Sequence, residues 1–312
     1  MNKITLTLLF TFLLNWCFPQ DNKFEQPQIF SEGIISTGDY ETHPAFSPSG
    51  DTLYFLKCLP DANLCSICVS YNKNSNWSQP QVVSFSGKYV DVDPFVTKDG
   101  NTLYFVSNRP VTEGEPAKQD WDIWKTERTE SGWSNPVHLD SPINSSGSEF
   151  FPTMADNGNF YFGSSRSGGH GRSDIYFSRL INHKYAEPVN LGDSINTADN
   201  EYEPFIAPDE SYLIFMATIP NGLTNADFYI SYNMQGKWSK AKKLPSPINS
   251  TATEWGGKVT RDGYFFFGSN RNKINDALPQ QEDLQQFEKR LHTTGNGLGD
   301  IYQVDFSSLK LN

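Results

Sequence analysis

The sequence is poor in positive charge. It has 25 lysines and arginines against 36 aspartates and glutamates, which gives a formal net charge of −11. A strongly acidic chain is repelled by nucleic acid and by anionic membrane surfaces, so both classes of partner are disfavoured. The excess of acid is compatible with an envelope or secreted protein and with cation binding, although solvation alone also explains it.

The sequence also lacks an apolar run long enough to cross a bilayer. Its longest run, residues 4–14, follows Lys3 and is too short for a transmembrane helix. This pattern is typical of a secretory signal peptide. We predict a signal peptide over 1–20, cleavage within 17–21, and an exported domain over 21–312 that is periplasmic, outer-membrane-associated or secreted. Lipidation at Cys17 is disfavoured because Trp16 is larger than the small residue that such processing needs.

Cysteine is scarce, and three remain after residue 20: Cys58, Cys65 and Cys68. Cys58 and Cys65 flank a short loop between two predicted strands, and disulfides persist in exported proteins, so we predict a bridge between them. The Cys65-x-x-Cys68 spacing could indicate zinc or redox chemistry, but either needs further ligands or a different fold. Because Cys68 takes a position that is aromatic in the other repeats described below, we expect a buried free thiol.

What the sequence does contain is a fivefold repeat rich in aromatics, glycine and proline. Each copy starts with an apolar strand, a tight turn and an aromatic strand, most clearly in residues 91–105. A third strand follows, marked by Asp-Ile-Trp or a variant, and then a fourth, marked by Trp-Ser-x-Pro or a variant. Its proline suits an edge strand, which can spare an N–H. The repeats open near residues 41, 91, 149, 201 and 254.

These repeats predict an all-β protein with a single five-bladed β-propeller. Sheets of four short strands cannot each bury two apolar faces alone, whereas radial stacking buries them, and a period of this length is typical of propellers. The fifth repeat ends after its third strand near Phe306. Residues 24–34 match the missing fourth strand in register. We therefore predict four-stranded antiparallel blades, with the N-terminal strand completing the last blade.

Several segments resemble the WD-like repeat of the TolB type. They are residues 44–55 (PAFSPSGDTLYF), 107–109 (SNR) and 121–124 (WDIW). The resemblance extends over essentially the whole chain after the signal. It implies a bacterial envelope propeller that serves as a protein-interaction platform, often without catalytic activity. TolB carries an extra N-terminal domain for which this chain has no room, so a role in the Tol system itself is not implied.

The long insertions all follow the second strand of a repeat, which places them on one face. They are residues 110–119, 167–172, 220–225 and 272–298. Long loops on a rigid scaffold usually carry binding sites, so we predict that this loop face is functional. Residues 278–291 are expected to be helical, with Leu284, Phe287 and Leu291 on one side. This helix could cap the channel, contact a partner, or be a packed insertion.

An acidic residue opens every repeat on the loop face. The five acids could form a ring that holds a cation, a sugar or a cationic ligand, or each could accept backbone N–H groups and fix the loop between blades. Asp93 and Glu203, beside His43, break the fivefold symmetry and are the better site candidates. The candidate binding residues are Glu41, His43, Asp91, Asp93, Glu149, His170, Arg172, Glu201, Glu203 and Glu254.

A second set of repeated charges is expected to be structural. An arginine follows the second strand in three repeats, and an aspartate begins the third strand in four. Planar guanidinium–carboxylate pairing suits partly buried sites, so we predict Arg–Asp pairs that bridge strands two and three. The residues are Arg109, Arg166, Arg271, Asp122, Asp174, Asp227 and Asp300.

Two functions remain open from the sequence. The first is a non-catalytic scaffold that binds an envelope or extracellular protein, or a cell-wall or glycan ligand, with no cofactor and no catalytic residue. The alternative is a glycosidase, which needs two carboxyl groups about 5–10 Å apart in a concave pocket. Asp91, Asp93, Glu201 and Glu203 could supply them. A structural calcium in the channel is a third, milder possibility.

Overall fold

The computed structural model describes residues 24–218, 226–274 and 281–311. The predicted signal peptide lies outside this part of the chain, and so does one long insertion, residues 220–225. The described residues form an all-β protein of five antiparallel sheets arranged as a five-bladed propeller, which confirms the predicted fold. No helix among them is long and apolar enough to cross a membrane.

Each blade has four strands, numbered here from the channel outward. Blade 1 is Tyr40–Phe46, Thr52–Cys58, Cys65–Lys73 and Gln81–Val82; blade 2 is Asp91–Val96, Thr102–Ser107, Asp122–Thr129 and Val137–His138. Blade 3 is Glu149–Met154, Phe160–Ser164, Asp174–Ser178 and Val189–Asn190; blade 4 is Glu201–Ile206, Tyr212–Thr218, Ala226–Tyr232 and Lys242–Lys243. Blade 5 is Glu254–Val259, Tyr264–Ser269, Asp300–Asp305 and the N-terminal strand Gln28–Ile29.

Short strands extend blades 1 to 3 beyond this pattern. Asn76–Trp77 and Gly132–Trp133 pair with the third strands of blades 1 and 2, and Leu180–Ile181 pairs with Lys184–Tyr185 in blade 3. They carry the aromatic side chains of the Trp-Ser-x-Pro motif. Those side chains reach the neighbouring blade, as Trp133 does when its Nε1 donates to the Tyr54 hydroxyl at 3.2 Å.

The ring closes between the two ends of the chain. Gln28 pairs with Gln303 and Ile29 with Tyr302, both antiparallel, and the Asp305 N–H donates to the carbonyl oxygen of Phe24 at 2.8 Å. Phe30 then packs edge-on against Phe266 of the same blade, with ring centroids 5.1 Å apart. The N-terminal strand therefore completes the last blade, as the register of residues 24–34 predicts.

The core lies between the blades. The second strand of every blade contributes a phenylalanine at the same position, and none is more than 1% exposed. Such a strand lies between two others and is covered on both faces by neighbouring blades, so each ring gains roughly 1.5–3 kcal/mol from burial. These residues are Phe55, Phe105, Phe162, Phe215 and Phe267.

A β-bulge in every first strand shapes the channel wall. The pairing with strand two shifts register at the third residue of the opening motif, and that residue adopts positive φ in all five blades. Proline follows it in four blades, where the disrupted ladder leaves the missing N–H without cost. The bulge residues are His43, Asp93, Phe151, Glu203 and Gly256, with φ between 50° and 59°.

In blade 1, Cys58 and Cys65 form a disulfide between directly paired residues, and Cys68 is a buried free thiol. The helix of blade 5 is shorter than expected. It spans Leu284–Leu291 and starts at a capping box made by Asp283 and Gln286, whereas residues 278–280 lie outside the described part.

The insertion that carries the helix is anchored on the loop that enters blade 1. Asn296 Nδ2 donates to the carbonyl oxygen of Gly38 at 2.9 Å, and Thr294 bonds to Glu32. A Cβ on Gly38 would lie 2.3 Å from the backbone of His292, so the two segments touch directly. The helix itself has no buried residue, and Leu284 is 71% exposed. The insertion is therefore anchored on the propeller and leaves the apolar side of its helix facing solvent; a contact with a partner stays a prediction.

Candidate functional site

The acids that open the blades form a buried ring with structural contacts. All five are at most 1% exposed, and four of them accept both the hydroxyl and the backbone N–H of a Ser or Thr four residues earlier. At Asp91, the Ser86 hydroxyl takes this role at 2.7 Å. Each carboxylate thereby fixes the loop that enters its own blade, which is the structural alternative raised by the sequence.

The predicted Arg–Asp pairing between strands two and three is wrong. Each arginine pairs instead with the acid that opens strand one: Arg109 with Asp91 at 2.6 Å, Arg166 with Glu149 at 3.3 Å, and Arg271 with Glu254 at 3.3 Å. The guanidinium also donates to a carbonyl oxygen of the preceding loop, for example from Arg166 to Ile143. Because strand two lies between strands one and three, an arginine at its end could turn toward either strand. The loop carbonyls lie on the side of strand one and hold the guanidinium there.

Blades 1 and 4 depart from this pattern. In blade 1 the position equivalent to Arg109 is Leu59, and a lysine two residues earlier contacts the acid instead: Lys57 Nζ lies 2.9 Å from Glu41 Oε1. In blade 4 the position equivalent to Arg109 is an isoleucine in the sequence. Burial raises the pKa of Glu201 there, against the lowering effect of Thr197.

The aspartates that begin strand three have different partners in each blade. Asp122 contacts Lys118 and His138, and Asp227 contacts Lys243 at 2.8 Å. Asp174 accepts the backbone N–H groups of His170 and Gly171, which fixes the 167–172 loop. The side chains of His170 and Arg172 are exposed on that loop and lie apart from the channel residues.

Asp300 is the exception among these aspartates. It is 1% exposed, and its Oδ2 accepts the Gly295 N–H, whereas its Oδ1 has no hydrogen-bond partner among the described residues. Burial raises its pKa to about 7, with a further contribution from Glu41. A buried carboxyl group without a cationic partner is the physical cause.

Three bulge residues meet inside the channel. His43 Nε2 lies 3.4 Å from Glu203 Oε1 and 3.6 Å from Asp93 Oδ1, and all three residues have little exposure. Phe151 stacks on the imidazole with an interplanar angle of 10°. The structure thus brings together the three residues that break the fivefold symmetry in the sequence.

Each acid of this cluster also bonds to the next blade. Asp93 Oδ2 accepts the Phe151 N–H at 3.2 Å, and Glu203 Oε2 accepts the Gly256 N–H. Gly256 has φ of 59°, and a Cβ there would lie 2.8 Å from Cα of His43. A glycine is therefore required where blade 5 meets the histidine.

The proton affinities of the cluster follow from its burial. Burial raises the pKa of Asp93 to about 7, and Glu203 raises it further, against the effect of His43. Burial lowers the pKa of His43, but the Glu203 and Asp93 carboxylates raise it more, so the imidazole favours its charged form. The cavity between these side chains is only about 10 Å³, about the volume that one water needs.

A larger cavity of about 490 Å³ opens on the opposite face, where strands one and two are joined by tight turns. It extends from the channel into the seam between blades 5 and 1. Its walls are mainly apolar and aromatic, and include Phe46, Phe95, Phe205 and Trp77. The size and lining are typical of small-molecule sites.

The sequence reasoning did not identify Lys258, which lines both cavities. Burial lowers its pKa to about 8, although Asp93 and Glu203 favour the charged form. A signal was present in the sequence. The equivalent positions in the other repeats are Ala45, Phe95, Thr153 and Phe205, so a lysine there is the only charge.

Among the described residues, no group of three or more His, Cys, Asp or Glu side chains is placed to hold a metal ion. The structural calcium stays a prediction.

Comparison with known proteins shows the fold alone. No family model and no curated sequence matches the chain. The α-L-arabinofuranosidase from Lactobacillus brevis is similar with a TM-score of 0.55 and 13% identity, over 87% of this chain and 92% of that one. A TolB candidate from Agrobacterium tumefaciens has a TM-score of 0.48 and 14% identity, over 85% and 90%. The arabinofuranosidase from Podospora anserina has a TM-score of 0.47 and 11% identity, over 90% and 94%.

The fold defines the class as a five-bladed β-propeller, whose channel narrows to a cavity of about 10 Å³ between His43, Asp93 and Glu203. At such low identities the neighbours say nothing about activity, because propellers of one architecture perform unrelated functions.

Proposed function

We propose that this protein is an exported, non-catalytic propeller that acts as a binding scaffold in the cell envelope. One observation carries the proposal. The carboxylates that an enzyme would need are already engaged in holding the propeller together: the opening acids bond to their own loops, and Asp93 and Glu203 form ion pairs with His43 and hydrogen bonds to the next blade.

The loop face offers a surface for a protein partner. The helix Leu284–Leu291 exposes Leu284, Phe287 and Leu291, which are three or four residues apart and therefore share one side. The insertion is tied to the blade 1 entry loop, so this apolar side has a fixed position on the propeller. Export and an envelope location rest on the signal-like N-terminus and on the TolB-type motifs.

The experiment is a pull-down from envelope extract with the mature protein, beside a variant in which Leu284, Phe287 and Leu291 are replaced by Gln. We expect a partner that the mature protein retains and the variant loses. A matched control replaces the exposed Val137 and Val189 of outer strands, which should leave capture unchanged. A partner retained equally by all three proteins would contradict the role of the helix.

A glycosidase is the alternative, and one observation favours it. With a pKa of about 7, Asp93 holds a proton near neutrality as a general acid must, and Glu203 is close by. The cavity of about 10 Å³ between them leaves no room for a sugar ring. Hydrolysis of a panel of aryl glycosides, abolished by Asp93→Asn and by Glu203→Gln in folded protein, would overturn the non-catalytic proposal.

A further inference from the structure

The cavity on the turn face contains a cation, Lys258, that makes no direct hydrogen bond or ion pair with the described residues. Within residues 24–218, 226–274 and 281–311, no hydrogen-bond acceptor or ion-pair partner contacts Lys258 Nζ, which lies over the Phe95 ring at 5.8 Å from its centroid. A lysine deep in a channel normally pairs with a carboxylate, since an unpaired buried charge is costly.

The other charges at this cavity are already used. Lys98 Nζ donates to the carbonyl oxygen of Asp156 at 2.5 Å, and Arg261 lies 3.7 Å from the Asp156 carboxylate. Asp262 accepts the Thr260 hydroxyl at 2.6 Å. Among the charged side chains that line this cavity, Lys258 at the inner end is therefore the one without a direct hydrogen bond or ion pair to a described residue.

The acids behind Lys258 are occupied on their far side. Asp93 and Glu203 share His43, whose raised pKa favours the imidazolium, and each accepts a backbone N–H of the next blade. His43 balances one of the two negative charges, and Lys258 lies in the field of both carboxylates but makes no direct contact with either. An anion that enters from the turn face would meet the ammonium group before it meets either carboxylate.

The seam that the cavity enters lacks a hydroxyl hydrogen bond of the kind found at two other blade junctions. Trp133 of blade 2 donates to the Tyr54 hydroxyl, and the Tyr161 hydroxyl of blade 3 donates to Glu210 of blade 4. At the seam, the residue equivalent to Tyr54 is Phe266, which has no hydroxyl. The aromatic rings around it contact one another edge-on or tilted, and the cavity reaches between them: Phe30, Phe46, Trp77 and Tyr264.

We propose that this turn-face cavity binds a small carboxylate with an apolar or aromatic body, its anion against Lys258 and its body against Phe95, Phe205 and the seam. The site lies on the face opposite to the helix, so it is independent of the scaffold function proposed above. A volume of about 490 Å³ accommodates a molecule of this kind but not a folded partner.

The test compares an acid with its neutral analogue. We expect 4-phenylbutyrate to bind at least about tenfold more tightly than 4-phenylbutyramide by isothermal titration calorimetry, because only the acid pairs with the ammonium group. In Lys258→Met the two affinities should agree within about twofold. Lys258→Arg should keep the preference, and so should the control Lys240→Met, which removes an exposed lysine from blade 4.

Two results would overturn the proposal: no heat from either probe up to about 10 mM, or an acid preference that survives in Lys258→Met. If that variant fails to fold by circular dichroism, Phe95→Ala replaces it. In Phe95→Ala, both probes should bind at least about tenfold more weakly while the acid preference remains. Unchanged affinities in this variant would also overturn the proposal.

Discussion

The aspartate that begins strand three shows how one residue type in one repeat position acquires opposite properties. In blade 2, Asp122 lies between Lys118 and His138; in blade 5, Asp300 is buried with one oxygen unpaired. Burial raises the pKa of both carboxyl groups, but at Asp122 the two cations outweigh it and the pKa is lowered. Ionisation of the carboxyl group therefore stabilises the folded state at Asp122 and destabilises it at Asp300.

Asp300→Asn and Asp122→Asn should change stability in opposite directions. A folded-state pKa of about 7 at Asp300 means that stability is lost as pH rises from about 4 through 7, so the Asn variant should gain about 1–3 kcal/mol over the parent at pH 8 and little at pH 4. The lowered pKa of Asp122 gives stability that is present above its unfolded pKa and lost as pH falls, so its Asn variant should lose about 1–3 kcal/mol at pH 8 and less at pH 4.

Urea unfolding of the three proteins at both pH values measures this contrast. If the two variants shift the midpoint the same way at pH 8, the assignment of their surroundings fails.

The ring acids give a second contrast at the residue scale. Glu149→Gln leaves Arg166 without its anion in a buried site, which typically costs about 3–5 kcal/mol. Glu201→Gln removes a charge that has no arginine beside it among the described residues, and the weakened hydrogen bonds from Thr197 should cost about 1 kcal/mol. The difference in unfolding free energy at pH 7 tests this, and an equal loss in both would show that the hydroxyl and backbone bonds dominate.

At the scale of the element, the disulfide acts on one hairpin. Cys58 and Cys65 close a short loop between strands two and three of blade 1, and the entropy of such a loop corresponds to about 2.5 kcal/mol. Replacing both by Ser should lower the free energy of unfolding by about 2 kcal/mol and expose residues 59–64 to protease.

Thiol titration supplies the control for this prediction. The unfolded, unreduced mature protein should show a single reactive thiol, that of Cys68, and Cys68→Ala should show none. Three reactive thiols would mean that the bridge does not form.

The elements themselves could largely be predicted from the sequence, because every repeat carries an aromatic strand and four of the five carry a turn glycine and an edge proline; the fourth has Glu210 and Ala241 at these places. The fivefold comparison also pointed to His43, Asp93 and Glu203 as a group. The arginine partners could not be predicted, since strand two has neighbours on both sides and only the loop carbonyls decide between them. Lys258 was not identified because it lies two residues after the bulge, whereas the comparison between repeats was made on the acids at and before the bulge.

At the scale of the whole molecule, folding of the propeller depends on closure of the ring more than on which loop contains the chain ends. Blade 5 is assembled from both ends, through Gln28, Ile29 and the bond from Asp305 to Phe24. Contacts between neighbouring blades supply the core, and they do not depend on which loop contains the ends. A chain opened elsewhere should therefore fold to the same ring if these contacts survive.

A circular permutant tests this dependence. Residues 311 and 24 would be joined by a flexible Gly-Ser linker of about ten residues, and the chain opened between Glu113 and Gly114, in an exposed loop of blade 2. Blade 5 then becomes continuous, while blade 2 is split between its second and third strands, whereas the natural ends split blade 5 between its third and fourth. We expect one cooperative transition within a few degrees of the parent Tm.

A protein that lacks residues 24–30 should lose cooperativity, because removal of Phe30 and the closing strand leaves an apolar edge uncovered. A permutant that fails to fold, beside a truncated protein that folds normally, would show that the N-terminal strand is dispensable and that closure lies elsewhere.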